Sequence, residues 1–189
     1  MASTLPRLAQ RYQTEIKPRL RARLKIDNDH ALPKLKKVTL SMGVGKAVEN
    51  KKVLDAASYV LTTISGQKAV LTEAKKSVAT WKLREGMPVG AKVTLRGARA
   101  YEFVDRLVSV VVPRIRDFRG LPSKFDGRGN YSLGITERTV FPEVDLEKSE
   151  GIEGLNVTLT ISGGSDAAGR ALLEEFGFPF IRAEDSARG

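Results

Sequence analysis

The sequence of 189 residues contains no cysteine and only one histidine, His30. Without cysteine the chain cannot form disulfides, bind a metal through thiolates or use a cysteine nucleophile. A single histidine leaves little material for a histidine-built metal site or a serine–histidine–aspartate triad. No stretch approaches the roughly 18 consecutive apolar residues of a membrane-spanning helix, and residues 1–10 lack the apolar segment of a secretory signal. We therefore expect no cofactor, no metal site and no membrane partner.

Acidic residues are scarce relative to basic ones, since 22 Asp and Glu stand against 32 Lys and Arg, a net charge of +10. Residues 1–100 carry a net charge of +14, residues 101–142 of +2 and residues 143–189 of −6. This segregation predicts two electrostatic partners, an anionic one for the first half and a cationic one for the tail. Alternatively, the segments interleave in the folded chain and the asymmetry averages out. The first expectation is a phosphate-bearing partner in the cytoplasm.

Apolar residues recur every three or four positions near the N-terminus, which predicts an amphipathic helix. The apolar positions are Leu5, Leu8, Tyr12, Ile16, Leu20 and Leu24, and the cations beside them are Arg7, Arg11, Lys17, Arg19, Arg21, Arg23 and Lys25. We expect Pro18 to kink or divide this helix. Its basic face is either solvated or lies against phosphate, and seven cations with Glu15 as the one intervening acid favour phosphate.

Alternating apolar and polar residues predict strands at residues 36–42, 92–96 and 155–162, and a short strand is expected at residues 67–72. Helical periodicity predicts a helix capped by Asn50 and ended by Gly66, a second ended by Pro113, and a last one capped by Asp166. Strict β–α alternation is absent. We therefore expect an α+β fold, with a mostly antiparallel sheet, helices packed on one face and long basic loops.

The expected organisation has one folded domain. It comprises a basic N-terminal helix at residues 1–30, a single α+β domain at residues 31–182 and a flexible tail at residues 183–189. No internal repeat and no hinge-like linker divides the chain. This organisation is a prediction from composition and periodicity.

Motifs that suggest nucleotide chemistry fail on their spacing. The GVGK segment at residues 43–46 resembles a phosphate-binding loop, but Leu40 stands where that loop needs glycine and Ala47 where it needs serine or threonine. The carboxylates of residues 143–153 lie near no predicted apolar pocket, so general acid–base catalysis lacks support. We expect a binding protein and not an enzyme. The main alternative is an enzyme that acts on RNA or nucleotides, and a second is a free-standing RNA chaperone.

Cations, hydroxyls and aromatic residues together indicate RNA binding. The predicted strands place Lys37, Ser41, Lys92, Thr94 and Arg96 on their polar faces. One loop, residues 73–88, holds Lys75, Lys76, Trp81, Lys82 and Arg84. A second, residues 114–134, holds Arg114, Arg116, Phe118, Arg119, Lys124, Phe125, Arg128 and Tyr131. Trp81 either packs its loop down or stacks on a base, and the sequence favours neither.

Four blocks of the sequence together resemble one protein family. They are KKVTLSMGVGKA at residues 36–47, ISGQKAVLTEAKKSVATWKLREGMPVGAKVTLRG at residues 64–97, VPRIRDFRGLPSKFDGRGNYSLGITE at residues 112–137 and ALLEEFGFPF at residues 171–180. In this order, they resemble the bacterial form of large-subunit ribosomal protein five, the universal 5S-rRNA-binding family. The resemblance does not extend to the N-terminal helix or to the tail.

The resemblance implies a structural protein in the central protuberance of the large ribosomal subunit, in contact with 5S rRNA and large-subunit rRNA. By resemblance, Lys37, Gln67 and Thr94 occupy positions that hydrogen-bond 5S rRNA, and Ser41 stands where the family usually has asparagine. The expected rRNA-binding residues are thus Lys37, Ser41, Gln67, Lys92, Thr94 and Arg96.

Two further contacts are implied by the resemblance. Residues 72–85 resemble the loop that reaches the peptidyl-site tRNA, with Lys75, Lys76, Ser77, Trp81, Lys82 and Arg84 as expected contacts. The acidic segment after Pro142 resembles the part that faces small-subunit ribosomal protein thirteen, a basic protein, across an intersubunit bridge. Its expected contacts are Glu143, Asp145, Glu147 and Glu150. The alternative is a solvated acidic loop that keeps the molecule soluble.

Overall fold

Five strands form one sheet, in the order β2–β3–β1–β5–β4. The computed structural model describes residues 5–48, 50–116, 118–145 and 154–181. Its strands are β1 (Leu35–Gly43), β2 (Val70–Glu73), β3 (Pro88–Leu95), β4 (Tyr131–Ile135) and β5 (Leu155–Ile161). Its helices include α1 (Arg7–Arg11), α2 (Lys17–Leu24), α3 (Lys51–Ser65), α4 (Ala98–Arg106) and α5 (Asp166–Glu175). The predicted α+β class with an antiparallel sheet is confirmed.

The chain divides into two compact units. Unit 1 comprises Met1–Val38, Arg96–Leu133 and Thr158–Gly189, and unit 2 comprises Thr39–Leu95 and Gly134–Val157. Strands β1, β4 and β5 each have residues in both units. The domain boundaries proposed from the sequence stay predictions, and the tail at residues 183–189 lies outside the described residues.

Local rules account for helix α3 in unit 2. The side chain of Asn50 accepts a hydrogen bond from the N–H of Lys52 at 3.0 Å, so it caps the helix as predicted. Gly66 ends the helix with φ +63°, and its N–H donates to the carbonyl of Thr62 at 2.9 Å. The apolar stripe of α3 is buried, and the helix packs against β3. No described helix is both long and apolar enough to cross a bilayer.

Burial alternates along the strands, as the sequence predicts. In β1, Val38, Leu40 and Met42 are buried, whereas Lys37, Thr39 and Ser41 are half-buried. In β5, Leu155, Val157, Leu159 and Ile161 are buried, and the residues between them are exposed or half-buried. Strand β4 shows the same pattern, although the sequence placed Tyr131 in a loop. Each of these strands therefore presents one apolar and one polar side.

The N-terminal helix of unit 1 is divided at its proline, as expected. Helix α1 continues through a π-helical turn at Tyr12–Ile16 into α2, and Pro18 lies in the first turn of α2. Proline has no N–H to donate and its ring crowds the preceding turn, so the regular helix restarts there. The middle of the apolar side is covered, since Leu8, Ile16 and Leu20 are at most 3% exposed, whereas Leu5 at its start is 46% exposed.

The cations of this helix are engaged by carboxylates of unit 1. Arg7 pairs with Asp105 of α4 at 2.7 Å, and Arg23 pairs with Glu174 of α5 at 2.6 Å. The further pairs are Arg11–Glu15, Lys17–Asp29, Arg19–Glu175, Arg21–Asp27 and Arg21–Asp29. Burial raises the pKa of Glu174, but hydrogen bonds from Arg170 and Arg23 outweigh it and leave that pKa below its ordinary value. The basic face is therefore largely neutralised by the protein itself, which does not support the phosphate interpretation.

Candidate RNA-binding surface

The polar side of β3 carries two of the predicted RNA contacts in unit 2. Lys92 is exposed and Thr94 is half-buried, whereas Ala91, Val93 and Leu95 between and beside them are at most 2% exposed. Because successive side chains of a strand point to opposite faces, Lys92 and Thr94 lie on the face away from the core. The sequence prediction of their placement is correct.

Strand β2 places an exposed apolar residue and a hydroxyl beside this polar surface, and the sequence analysis selected neither. Val70 stands opposite Lys92 in the antiparallel pairing and is 60% exposed. Thr72 stands opposite Gly90 and is half-buried. Neither was selected because the run from Gln67 to Thr72 shows no clear alternation of polar and apolar residues.

Strand β1 contributes Ser41, which is half-buried on the polar side of its unit 2 segment. Two other predicted residues belong to unit 1: Lys37, in its part of β1, and Arg96, directly after β3. Lys37 is half-buried and Arg96 is exposed. None of the three side chains has a hydrogen-bond or ion-pair partner among the residues described, so each is available to a ligand.

Gln67 precedes β2 and is not part of it, which corrects the expected strand start by three residues. The Ser65 hydroxyl ties its backbone to the end of α3, since it accepts from the Gln67 N–H at 3.2 Å and lies within donor distance of the carbonyls of Leu61, at 2.6 Å, and Gln67, at 3.0 Å. The side-chain amide is half-buried without a hydrogen-bond partner in the described chain. Gln67 therefore presents a free amide from a fixed backbone.

A shallow, open cleft of about 360 Å³ adds further polar groups to unit 2. Its lining includes Gly43 of β1, Gly134 of β4, and the polar side chains of Thr136 and Asn156. Alternation along β5 places Asn156 on the polar side of that strand. The alternation along β5 is visible in the sequence. That the ends of β1, β4 and β5 come together at this cleft is not.

The loop between β2 and β3 is an ordered hairpin extension. Ala74 and Met87 are joined at its base by an N–H···O bond of 2.8 Å, and Val78 and Leu83 exchange two bonds of 2.9 and 3.1 Å near its tip. The Ser77 hydroxyl accepts from the N–H of Glu85 at 2.9 Å. Ser77 therefore holds the loop together, which was not anticipated when it was selected as a tRNA contact.

The tip of this loop carries Trp81, the most exposed large hydrophobic residue in the described ranges, at 71% exposure. Trp81 ends a short 3-10 turn, and Lys82 follows it in the left-handed conformation with φ +51°. The cations around it, Lys75, Lys76, Lys82 and Arg84, are all exposed. This exposure decides between the two interpretations of Trp81, because the indole does not pack the loop down.

The second basic loop, predicted at residues 114–134, ends at residue 130, because β4 begins at Tyr131. Two of the three aromatic residues predicted there turn inward, since Tyr131 is 0% exposed and Phe125 is half-buried and packs against it. The Phe125 ring lies 5.1 Å from that of Tyr131 and 6.0 Å from that of Phe180. Burial raises the pKa of Tyr131 to about 12, and its hydroxyl donates to the carbonyl of Pro122 at 2.8 Å. These aromatics belong to the core of unit 1 and are not platforms for bases.

The acidic segment is only partly described. Glu143 and Asp145 are exposed, whereas Glu147 and Glu150 lie outside the described residues. Within the described ranges, no group of three or more His, Asp or Glu side chains is arranged to hold a metal ion. The role of the acidic segment in an intersubunit contact stays a prediction.

Comparisons with known proteins agree on one family. Residues 28–84 match the family described as ribosomal protein L5, and residues 88–180 match the C-terminus of the ribosomal L5P family. Large ribosomal subunit protein uL5 of Francisella philomiragia is 53% identical over 177 residues, 93% of this chain and 99% of that protein. The uL5 protein of Alkalilimnicola ehrlichii is 53% identical over 175 residues, 92% of this chain and 98% of that protein. The chain therefore belongs to the ribosomal protein L5 family.

Proposed function

We propose that the chain binds 5S rRNA through the polar surface of its sheet and helps to attach that RNA in the central protuberance. The observation that supports this most directly is a set of polar side chains in unit 2 that have no hydrogen-bond or ion-pair partner among the described residues: Ser41, Gln67, Lys92 and Thr94. Polar groups without partners on an otherwise well-packed protein are available for hydrogen bonds to a ligand. Lys37 and Arg96, in unit 1, are proposed as further rRNA contacts.

Family membership sets the general context of this proposal. The chain is a structural protein of the large ribosomal subunit, it acts in the ribosome of the cytoplasm, and it is not an enzyme. The proposal states in addition which RNA the chain binds and which residues make the contact. A free-standing RNA chaperone is the less favoured class, because such a protein would bind unrelated RNAs with similar affinity.

The chemistry of the surface matches double-stranded RNA. An A-form duplex displays 2′-hydroxyls and base edges in a wide, shallow minor groove, which proteins recognise by shape and by polar contacts. The unit 2 strands offer hydroxyls from Thr39, Ser41 and Thr94, with Lys92 as an exposed cation among them. Ser41 carries a hydroxyl on a shorter side chain than the asparagine usual in the family, so it reaches less far and donates one hydrogen bond where the amide nitrogen can donate two.

Salt dependence tests this surface. The Lys92→Ala variant is expected to bind 5S rRNA more weakly and to lower the slope of log affinity against log salt by about 0.7–0.9, because one phosphate contact is lost. The measurement is a filter-binding or anisotropy titration at several salt concentrations. The matched control is Lys51→Ala, an exposed cation at the start of α3. An unchanged slope for Lys92→Ala would remove this lysine from the interface.

We also propose that the loop at residues 74–87 contacts the peptidyl-site tRNA. An exposed tryptophan surrounded by four exposed cations combines a stacking surface with phosphate attraction, which is how single-stranded or splayed RNA bases are held. The hydrogen bonds at the base and tip of the loop limit its backbone freedom. Binding therefore costs less conformational entropy than ordering a free loop would.

The Trp81→Ala variant is expected to weaken retention of tRNA at the peptidyl site by roughly tenfold, since stacking on one base contributes about 1–3 kcal/mol. The thermal midpoint and 5S rRNA affinity are expected to stay unchanged, because the indole is 71% exposed. Toeprinting or tRNA release from reconstituted ribosomes measures the effect. The Trp81→Phe variant keeps an aromatic face and is the control. Equal loss with phenylalanine and alanine would contradict stacking.

We propose, finally, that the acidic segment faces small-subunit ribosomal protein thirteen in an intersubunit contact. The support is charge: Glu143 and Asp145 are exposed in a segment of net negative charge that a basic protein would attract and phosphate would repel. The test is to reverse the charges of this segment and to measure subunit association at several salt concentrations. If association is unchanged at every salt concentration, the segment serves solubility alone.

A further inference from the structure

Sulfur is scarce in this chain, and one sulfur atom helps to shape the loop at residues 74–87. The sequence has three methionines and no cysteine. Two of the methionines lie in the described ranges: Met42 in β1 is buried at 4% exposure, whereas Met87 at the base of the loop is half-buried. Of these two thioethers, that of Met87 is the more accessible to a small molecule in the solvent. None of the contacts proposed above uses it.

The Met87 thioether closes a tight turn with Arg84. The backbone N–H of Met87 donates to the carbonyl of Arg84 at 3.2 Å, and the backbone N–H of Arg84 donates to the Met87 sulfur, also at 3.2 Å. Gly86 lies between them with φ +81°, the conformation that a type II turn needs at its third position. The side chain of Met87 therefore bonds back to the first residue of its own turn.

The other N–H groups of this turn donate to oxygen. Glu85 donates to the Ser77 hydroxyl at 2.9 Å, and Gly86 donates to the carbonyl of Ala74 at 3.0 Å. The N–H of Arg84 is the member of this run that ends on sulfur, which is a weak acceptor. The contact with the thioether is therefore the weakest bond that holds the turn, and it is the bond that a change at the sulfur would alter.

We propose that Met87 is a modification site, oxidised to its sulfoxide by peroxides, and that its oxidation state controls the conformation of the loop at residues 74–87. The thioether donates an electron pair to one oxygen of hydrogen peroxide, so that an S–O bond forms as the O–O bond breaks. The sulfur is oxidised and the peroxide is reduced, since its second oxygen takes up the proton of the first and leaves as water. Methionine sulfoxide reductases reverse this change, so the site can act repeatedly.

Oxidation removes the bond between Met87 and Arg84. The sulfur lies 3.2 Å from the Arg84 nitrogen, and an N–H···O bond by itself needs about 2.9 Å. An oxygen bonded to the sulfur therefore has no room between the two atoms. The sulfoxide is polar and the side chain that carries it is flexible, so it turns toward solvent and the Arg84 N–H loses its acceptor.

The opened turn affects the proposed tRNA contact, and this part of the inference rests on that proposed function. Arg84 is one of the four exposed cations around Trp81, and the pairing of Val78 with Leu83 ends directly before it. Loss of the turn frees the chain on one side of this pairing. The sulfoxide form holds tRNA less well, because ordering the freed segment on binding costs conformational entropy.

The first test treats the full chain with hydrogen peroxide and follows each methionine by peptide mass spectrometry. Met87 is expected to be oxidised at least about tenfold faster than Met42 in the folded chain, because the peroxide must reach the sulfur. Met42 is the internal control, and the two rates should become similar in denaturant. Equal rates in the folded chain, or faster oxidation of Met42, would overturn the inference.

The second test measures hydrogen exchange of the Arg84 amide, a readout that does not involve tRNA. Oxidation is expected to speed this exchange at least about threefold, because the N–H loses its acceptor. The matched control is Met87→Leu, which nearly preserves volume but has no sulfur, so peroxide should leave its Arg84 exchange unchanged. Unchanged exchange in the oxidised wild-type chain would show that the sulfur does not control the turn.

The third test assembles the oxidised chain into large subunits and measures retention of peptidyl-site tRNA. Retention is expected to fall about threefold and to recover after treatment with a methionine sulfoxide reductase. An equal loss in peroxide-treated Met87→Leu would assign the effect to another residue, such as Trp81, and overturn the inference. If Trp81→Ala leaves tRNA retention unchanged, the proposed tRNA contact fails, while the exchange of the Arg84 amide still decides whether Met87 controls the loop.

Discussion

Replacing Gly129 with alanine is expected to destabilise the protein by about 2–5 kcal/mol, from two additive causes. Gly129 has φ +82°, a left-handed conformation that costs a residue with a Cβ roughly 1–2 kcal/mol. The new Cβ would also lie 2.6 Å from the carbonyl oxygen of Ser165, ahead of α5. Backbone cannot move aside as a flexible side chain does, and such overpacking costs about 1–3 kcal/mol.

The measurement is the thermal midpoint, which should fall by roughly 2–4 °C for each kcal/mol in a chain of this size. Gly127→Ala is the matched control, because Gly127 has φ +85° but no other group lies within 4 Å of the position that its Cβ would take. The control carries the conformational cost alone. Equal loss in both variants would show that the approach to Ser165 contributes nothing to stability.

The elements whose rules are local were predictable from the sequence. Asn50 and Gly66 delimit α3 as expected, because a cap needs only the residues beside it. The strands β1 and β5 follow from uninterrupted alternation. At α5 the local rule was misapplied, since Ser165 caps the helix through the N–H of Ala168 and Asp166 is its first residue. Two adjacent residues that both favour caps cannot be separated without the backbone conformation.

The features that depend on distant residues were not predictable. The carboxylate of Asp166 accepts hydrogen bonds from the loop N–H groups of residues 127 and 129, which lie 39 and 37 residues earlier in the chain. Tyr131 was placed in a loop because glycines precede it, but its ring partners include Phe178 and Phe180. Likewise, helix propensity favours alanine at Gly169, yet a Cβ there would overlap with the carbonyl of Gly129. Periodicity carries no information on such contacts.

The candidate site was only partly predictable, because some of its residues follow from a local pattern and others from contacts between strands. Lys92, Thr94 and Ser41 were placed correctly because alternation determines which face a strand residue occupies. The exposure of Trp81 could not be predicted, because it depends on hydrogen bonds that fold the loop back on itself. Val70 and Thr72 lie beside Lys92 and Gly90 only through the register between β2 and β3. Register is a property of two strands and cannot be deduced from either one alone.

The Leu20→Ala variant is expected to lose about 2–5 kcal/mol of stability, the cost of a cavity at a fully buried leucine. Leu20 is 0% exposed in α2, so its side chain holds the N-terminal helix to unit 1. Because the sequence favoured a basic, RNA-facing role for this helix, the result tests whether the helix is instead part of the core of unit 1. Thermal and denaturant unfolding measure the loss, and Leu20→Met, which nearly preserves volume, should cost less than about 1.5 kcal/mol.

Removing charges from the same helix tests whether its cations contact phosphate. The Arg19→Gln/Arg23→Gln variant removes two exposed ion pairs, each contributing about 0–1 kcal/mol, so it should unfold near the wild-type midpoint. Its affinity for 5S rRNA and its salt slope should also stay close to those of the wild type, because Glu174 and Glu175 already hold these guanidinium groups. A phosphate bound there would first have to displace both carboxylates. If the variant instead lost affinity and its slope fell by about one to two, phosphate would contact the helix and the ion pairs would be a resting arrangement of the free protein.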